Sequence, residues 1–278
     1  MRTRRTQQTR HTATQGILHP EAVERTFHLA RALPSPDLRL FVERYWIVSW
    51  DLRGQSPHTQ ETLPYPCAHL VFEAGNTSIV GVMTGKFTRL LEGHGHVFGI
   101  KFQPAGFYPF ARRPMRSLTD QRLPFADIFG VRCDELESAI LAQPDQATQV
   151  TLAEDFLRAR LPQPDERVAI LNNIVADIAA DRDITTVEQV LHRCAHGTMS
   201  KRTLQRLFSD YIGVGPKWVI RRFRLHEAAG RIDAGDTVDW SRLALELGYT
   251  DQTHFIKDFK AIVGKTPAEY SRQRLPTS

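Results

Sequence analysis

The C-terminal part of the chain repeats one helical pattern at a fixed spacing. Subtracting 51 from the position of a residue superimposes seven pairs of like side chains. The pairs are Gly248 with Gly197, Asp251 with Ser200, Phe255 with Leu204, Phe259 with Phe208, Ile262 with Tyr211, Gly264 with Gly213, and Pro267 with Pro216. Apolar residues at i, i+4 and i+7 predict a helix with one buried face. The chain therefore holds two copies of one helical unit.

Each copy is preceded by a second repeated helix pattern, at an offset of 53. Ser200 and Asp251 are residue types that favour the N-cap of the later helix of each unit. Thr185 with Glu188 predicts a capping box for the earlier helix of the first unit, and Asp239 predicts a cap in the second. The pattern therefore predicts two helix-turn-helix units, with a first turn two residues longer than the second.

The exposed faces of the two later helices carry hydrogen-bonding and cationic side chains. Helical geometry places these side chains opposite or beside the buried stripe. Arginine can bind guanine O6 and N7, and glutamine can bind adenine N6 and N7. A plain helical bundle is the alternative. We predict contacts to double-stranded DNA from Ser200, Lys201, Arg202, Gln205, Arg206, Ser209, Asp251, Gln252, Thr253, His254, Lys257 and Lys260.

A further helix is predicted between the two units, beginning near Pro216. About 17 residues make a helix of about 25 Å, which with the flanking units can hold two reading helices about one DNA turn, roughly 34 Å, apart. Arg221, Arg222 and Arg224 lie in this helix. They are interpreted either as phosphate contacts or as solvated side chains.

Charge is unevenly distributed along the chain. Residues 1–19 have a net charge of +4, residues 20–185 of −4 and residues 186–278 of +5, which together give the net +5 of the 278-residue chain. A basic C-terminal segment can attract a polyanion, although net charge does not distinguish nucleic acid from an ordinary solvated surface.

The cysteines and the hydropathy pattern indicate an intracellular protein. Cys67, Cys133 and Cys194 are far apart and form no C-x-x-C pair, so neither a disulfide framework nor a cysteine-rich zinc site is predicted. No apolar run approaches the roughly 18 residues of a membrane span. The Arg-rich start lacks the apolar stretch of a secretion signal. We expect a cytoplasmic protein without a membrane partner.

The strings "SKRTLQRLFSDYIGVGPKWV" and "LALELGYTDQTHFIKDFKAIVGKTPAEY" resemble the two helix-turn-helix units of the AraC/XylS family of bacterial transcription regulators. The resemblance covers about residues 184–272 and departs from the family in the longer turn at 196–199. It implies a regulator that activates or represses transcription, with RNA polymerase as a partner and a homodimer as the assembly. The groove-facing positions that it implies are Arg202, Gln205, Arg206, Gln252, Thr253 and Lys257.

The N-terminal two thirds combine a polar leader with strand-like segments. Residues 1–24 lack periodicity and are expected to form a disordered tail. Residues 25–126 contain "RYWIVSW", "HLVFEA", "SIVGVM" and "HVFGIKF", which predict an antiparallel barrel or jelly roll. The strings "LPYPCAHLVF" and "VFGIKFQPAGFYPF" resemble the cupin-like sensor domain of one AraC subgroup, a domain of unknown function. This resemblance says nothing about a ligand.

A small barrel can enclose one small-molecule effector. Aromatic residues on the predicted strands are the candidate lining, although aromatic side chains on strands are also ordinary core residues. The candidate effector-binding residues are Tyr45, Trp46, Phe72, Phe98 and Phe102.

Two weaker motifs suggest an enzyme instead. The His94 and His96 pair is similar to the H-x-H of metal cupins, but the next acidic residue is Asp120. Pro66-Cys67 is similar to the start of the Pro-Cys-His-Arg nucleophile of alkylguanine methyltransferases, but the arginine is missing. We therefore predict no catalytic residue, no metal, no cofactor and no enzymatic activity. A metal cupin or a cysteine alkyl acceptor fused to a DNA-binding module is the alternative.

The segment between these two parts has helical periodicity. Residues 127–183 place apolar side chains at three- and four-residue spacing, and prolines separate the segments. They predict a helical connector, which could also serve in dimerisation. The predicted fold class is α+β, with an N-terminal cupin-like antiparallel β-barrel, the connector, and an all-α DNA-binding domain with two helix-turn-helix units at 184–278.

Overall fold

The computed structural model describes residues 26–195, 199–233 and 239–272. The expected disordered tail and most of the longer first turn lie outside these residues. The strands are β1 (His28–Ala32), β2 (Val42–Asp51), β3 (His58–Thr62), β4 (His69–Glu73), β5 (Ser78–Val80), β6 (Phe87–Leu91), β7 (His94–Phe102) and β8 (Arg122–Pro124). The helices are α1 (Tyr108–Ala111), α2 (Ala126–Phe129), α3 (Asp134–Leu141), α4 (Gln146–Arg158), α5 (Glu166–Ala180), α6 (Val187–Arg193), α7 (Lys201–Tyr211), α8 (Pro216–Asp233), α9 (Trp240–Glu246), α10 (Gln252–Val263) and α11 (Pro267–Arg272).

The strands are antiparallel and divide between two sheets. Six strands are ordered β1-β2-β7-β4-β5-β8, and β3 pairs with β6 in a separate two-stranded sheet. In the central pair, Tyr45 lies opposite Ile100 and Ile47 opposite Phe98. The α+β prediction, with an antiparallel sheet domain followed by a helical domain, is confirmed. Among the described residues, the strand hydrogen bonds do not close one continuous barrel.

One face of the six-stranded sheet packs against α3 and α4. The sheet contributes Phe72 and Phe98 to this core, and the helices contribute Ile140 and Leu157, all of them fully buried. These apolar side chains recur with the two-residue period of strands and the three- to four-residue period of helices, so each element buries one face. The first two helices of the predicted connector therefore belong to the core of the sheet domain.

The last helix of the predicted connector packs with the C-terminal helices instead. Val168, Leu171 and Ile174 of α5 share a core with Leu204 and Phe208 of α7. The residues predicted as one connecting layer, 127–183, are thus divided between two cores. Helical periodicity predicted these helices but gave no information on which neighbour each one packs against.

The sheet domain contacts the end of α7 directly. Tyr108 and Tyr211 stack with ring centroids 3.9 Å apart. The Thr119 hydroxyl donates to the Gly213 carbonyl oxygen over 2.7 Å. Gly213 has φ = 100°, and a Cβ added there would lie 3.0 Å from the Met115 carbonyl oxygen. A glycine at this position therefore ends α7 and allows the close approach of the two domains.

Candidate nucleic-acid interface

The first helix-turn-helix unit consists of α6 and α7. A capping box starts α6: the Gln189 N–H donates to the Thr186 hydroxyl over 3.2 Å, and the Thr186 N–H donates to the Gln189 side-chain oxygen over 2.9 Å. The predicted box of Thr185 and Glu188 is therefore wrong by one residue. Both backbone N–H groups, of Thr185 and of Thr186, reach the Gln189 amide oxygen, which is why residue 189 serves as the N3 partner.

Helix α7 presents the face that the sequence assigned to DNA. The Thr203 N–H donates to the Ser200 hydroxyl over 3.1 Å, so Ser200 caps the helix as predicted. Arg202, Gln205 and Arg206 are exposed, and within the described part of the chain they make no hydrogen bond or ion pair. Lys201 Nζ lies 2.6 Å from a Glu188 carboxylate oxygen, and Ser209 is half-buried.

The variant Ser200→Ala removes the N-cap of α7 and is expected to destabilise the first unit by about 1 kcal/mol, because the Thr203 N–H loses its acceptor. Ser200→Asn supplies another capping oxygen and should retain most of the stability. Hydrogen exchange of α7 amides would measure the difference. Equal exchange in the alanine and asparagine variants would contradict the capping role.

The second unit consists of α9 and α10. Asp239 caps α9 by accepting from the N–H groups of residues 241 and 242, and Asp251 caps α10 by accepting from the His254 N–H over 2.9 Å. Both caps were predicted. The hydrogen bond from the His254 N–H is the main reason that the pKa of Asp251 lies below its usual value. Asp251 also lies 2.7 Å from His254 Nδ1, so these two side chains are partly engaged within the protein.

The other predicted positions of α10 differ in availability. Thr253, Lys257 and Lys260 are exposed, and they form no hydrogen bond or ion pair in the described part of the chain. Gln252 is half-buried, and its side-chain oxygen accepts from the Ser241 hydroxyl over 2.9 Å. To contact a base through this oxygen, Gln252 would have to release Ser241. The readily available groups are therefore Thr253 and Lys257, with Lys260 farther along the helix.

Helix α8 joins the two units, and most of its arginine run points inward. Arg222 and Arg224 are 2% and 1% exposed. Phosphate contact by these two side chains is therefore ruled out in this arrangement, and that interpretation is corrected. Arg224 donates to the Asp181 carbonyl oxygen over 3.1 Å, and Arg222 donates through Nε to the carbonyl oxygen of Pro64. Arg221 remains partly exposed and lies 3.1 Å from a carboxylate oxygen of Asp258.

A cavity of about 280 Å³ lies between the two sheets. Of the five predicted effector-binding residues, Trp46 lines it. The other four are fully buried in the core on the opposite face of the large sheet: Tyr45, Phe72, Phe98 and Phe102. Successive side chains of a strand point to opposite faces, so residues 45 and 46 cannot both line this cavity. The aromatic content did not reveal which face encloses a space.

The lining of the cavity includes residues that the sequence interpretation passed over. Arg44 and Lys101 are among them, and Arg222 reaches it from α8. A Cβ added at Gly99 would meet the Trp46 ring at 2.0 Å, and one at Gly95 would meet a neighbouring tryptophan ring at 2.1 Å. Glycines that alternate with apolar residues in a strand indicate a close approach of other groups. This signal was present in "HGHVFGIKF".

The residues behind the enzymatic alternative are not brought together: His94 is exposed and His96 half-buried, whereas Cys67 lies beside His69 and Trp46. His69 Nδ1 accepts from the Trp46 indole N–H over 3.3 Å, and His69 Nε2 lies 3.5 Å from the Cys67 sulfur. Burial raises the pKa of the Cys67 thiol to about 12 and lowers that of His69 to about 3. A thiol in this environment is a poor nucleophile at neutral pH. Across the described ranges, no group of three or more His, Cys, Asp or Glu side chains is arranged to hold a metal ion.

Two family models match the chain. Residues 30–124 match a domain of unknown function (DUF6597), and residues 194–273 match a helix-turn-helix domain. An uncharacterized HTH-type transcriptional regulator of Haemophilus influenzae is 32% identical over 75 residues, which are 27% of this chain and 25% of that protein. The matching segment thus spans about a quarter of the length of this curated relative.

Two solved structures show a weaker likeness. A probable AraC family transcriptional regulator from Rhodopseudomonas palustris is 23% identical, with 39% of this chain and 99% of that chain covered and a TM-score of 0.35. ToxT from Vibrio cholerae is 10% identical, with 91% and 100% covered and a TM-score of 0.37. Scores this low do not establish a shared arrangement of the domains.

The chain thus joins a sheet domain of unknown function to a domain with two helix-turn-helix units. The first part corresponds to the matched domain of unknown function and the second to the matched helix-turn-helix domain. Of the helices in the described segments, none combines the length and the apolar character needed to cross a membrane.

Proposed function

We propose that the protein is a sequence-specific regulator of transcription that binds double-stranded DNA with α7 and α10. The observation that carries this proposal is the pair of capped helices whose outward faces hold unpartnered polar and cationic side chains. Arg202 and Arg206 are exposed on the first helix, and Thr253 and Lys257 on the second. Both helices have their apolar faces in a core, so the available faces are those that point outward.

The two kinds of contact have different roles in this proposal. Lysine and arginine contacts to phosphate supply affinity that falls with salt, and contacts to base edges supply the choice of sequence. Helix α8 has 18 residues and is therefore about 27 Å long, a length compatible with holding two reading helices in successive major grooves. A binding site with two contact blocks about one helical turn apart is expected.

The remaining proposals rest on the resemblance to the AraC/XylS family. We propose a cytoplasmic protein that acts as an activator or repressor, has RNA polymerase as a partner and assembles as a homodimer. We propose a sensor domain at 25–126 and a DNA-binding domain at 184–278, joined by residues 127–183, whose helices α3 and α4 pack with the sheet domain and whose helix α5 packs with the C-terminal helices. We also propose that a small molecule bound in the sheet domain controls DNA binding by favouring one arrangement of the domains.

Selection of bound sites from random duplex DNA, at two salt concentrations, tests the DNA-binding proposal with the full-length protein. The expected result is an asymmetric motif with two contact blocks, recovered more weakly at the higher salt concentration. The double variant Arg206→Ala/Lys257→Ala is compared with the unmodified protein and should lose enrichment in both blocks. Enrichment of the same motif by this variant would contradict the assignment of the reading helices.

We propose that the protein is not an enzyme, and the cysteine alkyl acceptor is the alternative that can be tested directly. Cys67 is 1% exposed, and burial raises the pKa of its thiol. Intact mass after exposure to alkylated DNA is expected to be unchanged. A mass gain located at Cys67 would restore the enzymatic alternative.

A further inference from the structure

The cavity between the two sheets has strongly unequal charge. Of the described residues, six cationic ones line it and no aspartate or glutamate does; the six are Arg31, Arg44, Arg89, Lys101, Arg122 and Arg222. Two carboxylates behind the lining balance part of this charge. Glu43 lies 2.9 Å from Lys101 and 3.2 Å from Arg44, and Glu73 lies 2.9 Å from Arg89. Arg122 also lies 3.7 Å from Glu73. These four cations, Arg44, Lys101, Arg89 and Arg122, therefore share two carboxylates, which leaves an excess of positive charge at the cavity.

Arg222 is the most deeply buried of these cations, at 2% exposed. Its Nε donates to the Pro64 carbonyl oxygen, and its Nη2 lies 3.2 Å from His226 Nε2. Its guanidinium carbon lies 4.5 Å from the ring centroid of Tyr65 and 4.8 Å from that of Phe223. No described carboxylate forms an ion pair with it, and its Nη1 group donates to no described residue. The guanidinium thus packs against two rings that also contact each other edge to face, and its Nη1 group has no described acceptor.

A second cation lies on the same tyrosine. Lys101 Nζ is 3.4 Å from the ring centroid of Tyr65, and Lys101 is 5% exposed. Burial lowers the pKa of Lys101 and brings that of Arg222 down to about 10. Burying like charges together without enough counter-charge is unfavourable. An anionic group placed among these side chains would offset that cost.

The rest of the cavity wall is mostly apolar, with Gln60, Thr62, Cys67 and His69 as the exceptions. Leu29, Val48 and Trp50 contribute from the large sheet, and Phe87 and Leu91 from the small sheet. A volume of about 280 Å³ is close to the lower end of typical ligand pockets, about 300 Å³. An apolar wall of this extent fits a hydrocarbon body better than it fits a sugar or a nucleotide.

We propose that this cavity binds an organic acid with an apolar body, and that its carboxylate pairs with Arg222, Arg44 and Lys101. Arg222 belongs to α8, the helix between the two helix-turn-helix units, whereas the other two cations belong to the sheet domain. A carboxylate bound between them therefore favours the arrangement in which α8 and the sheet domain are in contact. This inference names the ligand class for the effector control proposed above and rests on that proposal for its effect on DNA.

Calorimetry of the full-length protein without DNA tests the ligand class. The probes are linear alkanoic acids of about six to twelve carbons, the alcohols of the same lengths, and inorganic phosphate. At least one acid should bind, and its alcohol should bind about tenfold more weakly or worse, because it lacks the charge that pairs with arginine. Binding of no acid, equal binding of acid and alcohol, or binding of phosphate alone would each overturn the proposal.

Variants at Arg222 test which cation binds the carboxylate. Arg222→Gln should weaken the acid about tenfold or more and leave the alcohol unchanged. Arg222→Lys keeps the charge but loses the planar guanidinium, so it should weaken the acid less than Arg222→Gln does. Arg53→Gln is the matched control, because Arg53 is an exposed arginine that does not line the cavity. Unchanged acid binding in Arg222→Gln would overturn the assignment. If that variant does not fold, Arg44→Gln and Trp50→Ala should each weaken acid binding, and unchanged binding in both would overturn it.

The coupling to DNA has a separate measurement. With a site recovered from the selection experiment, the bound acid should change DNA affinity several-fold in the unmodified protein and much less in Arg222→Gln. The calorimetry contains no DNA, so its result on the ligand stands even if the DNA-binding proposal fails. Conversely, a failure of the acids to bind would not affect the DNA motif recovered in the selection experiment. An acid that binds without changing DNA affinity would refute the coupling alone.

Discussion

Replacing Phe255 with alanine is expected to destabilise the second helix-turn-helix unit by about 3 to 5 kcal/mol. Phe255 is fully buried in α10, and its ring lies 5.6 Å from that of Tyr249 and 5.8 Å from that of Phe259. The substitution removes the transfer free energy of the ring and leaves a space that the neighbouring rings fill only partly. The core around Phe255 consists of side chains of α9 to α11, joined by side chains of α8 and by Leu63. The loss should therefore be concentrated in α9 to α11 and the adjoining half of α8.

Hydrogen exchange read by peptide mass locates the effect of Phe255→Ala. Amides of α9, α10 and α11 should exchange much faster, while those of the central strands β2 and β7 should change little. Lys257→Ala is the matched control on the same helix, and it should leave exchange nearly unchanged because the side chain is exposed. Uniform acceleration across the sheet domain would show that the two parts unfold together, contrary to the expectation.

Replacing Arg206 with alanine is expected to weaken binding to the selected DNA site by about 1 to 3 kcal/mol, or roughly 5- to 150-fold. Arg206 is exposed on α7, opposite the buried Leu204. Its guanidinium is not engaged by any described residue, so it is available for a bidentate contact with guanine. Binding to random DNA should weaken much less, since only a phosphate contact is common to all sequences.

The comparison of specific and random DNA at fixed salt decides the role of Arg206. Arg132→Ala is the charge-matched control, because Arg132 is an exposed arginine of the sheet domain. It should leave both affinities nearly unchanged. Equal weakening of Arg206→Ala on specific and random DNA would show that the side chain contacts phosphate, and the base-reading role would be withdrawn.

The two helix-turn-helix units could be predicted from the sequence because their signals are local. Ser200, Asp239 and Asp251 cap the helices that they were expected to cap, since a capping side chain bonds to N–H groups two or three residues away. The prediction of the capping box was wrong by one residue because Thr185 and Thr186 are adjacent and chemically alike. The identity of the base-contacting residues stays a prediction.

The sheet domain shows where local patterns are insufficient. The alternation of apolar residues on the strands could be seen in the sequence. The sequence does not indicate which face of the sheet packs against helices and which face encloses a cavity. Tyr45 and Phe98 were chosen as ligand contacts because they are aromatic, and the structure buries both in the core. That outcome depends on α3 and α4, which pack against the same face from distant positions in the chain.

The sequence by itself determined the duplicated unit, its caps, and the two outward faces with their cationic side chains, because helix periodicity and capping act over a few residues. Tertiary structure alone decided the position of Arg222. In the sequence it belongs to a basic run on a linker helix, whereas in the fold it is 2% exposed and reaches the carbonyl oxygen of Pro64. These residues are separated by 158 positions, so only the packing of α8 against the sheet domain brings this charge into the cavity.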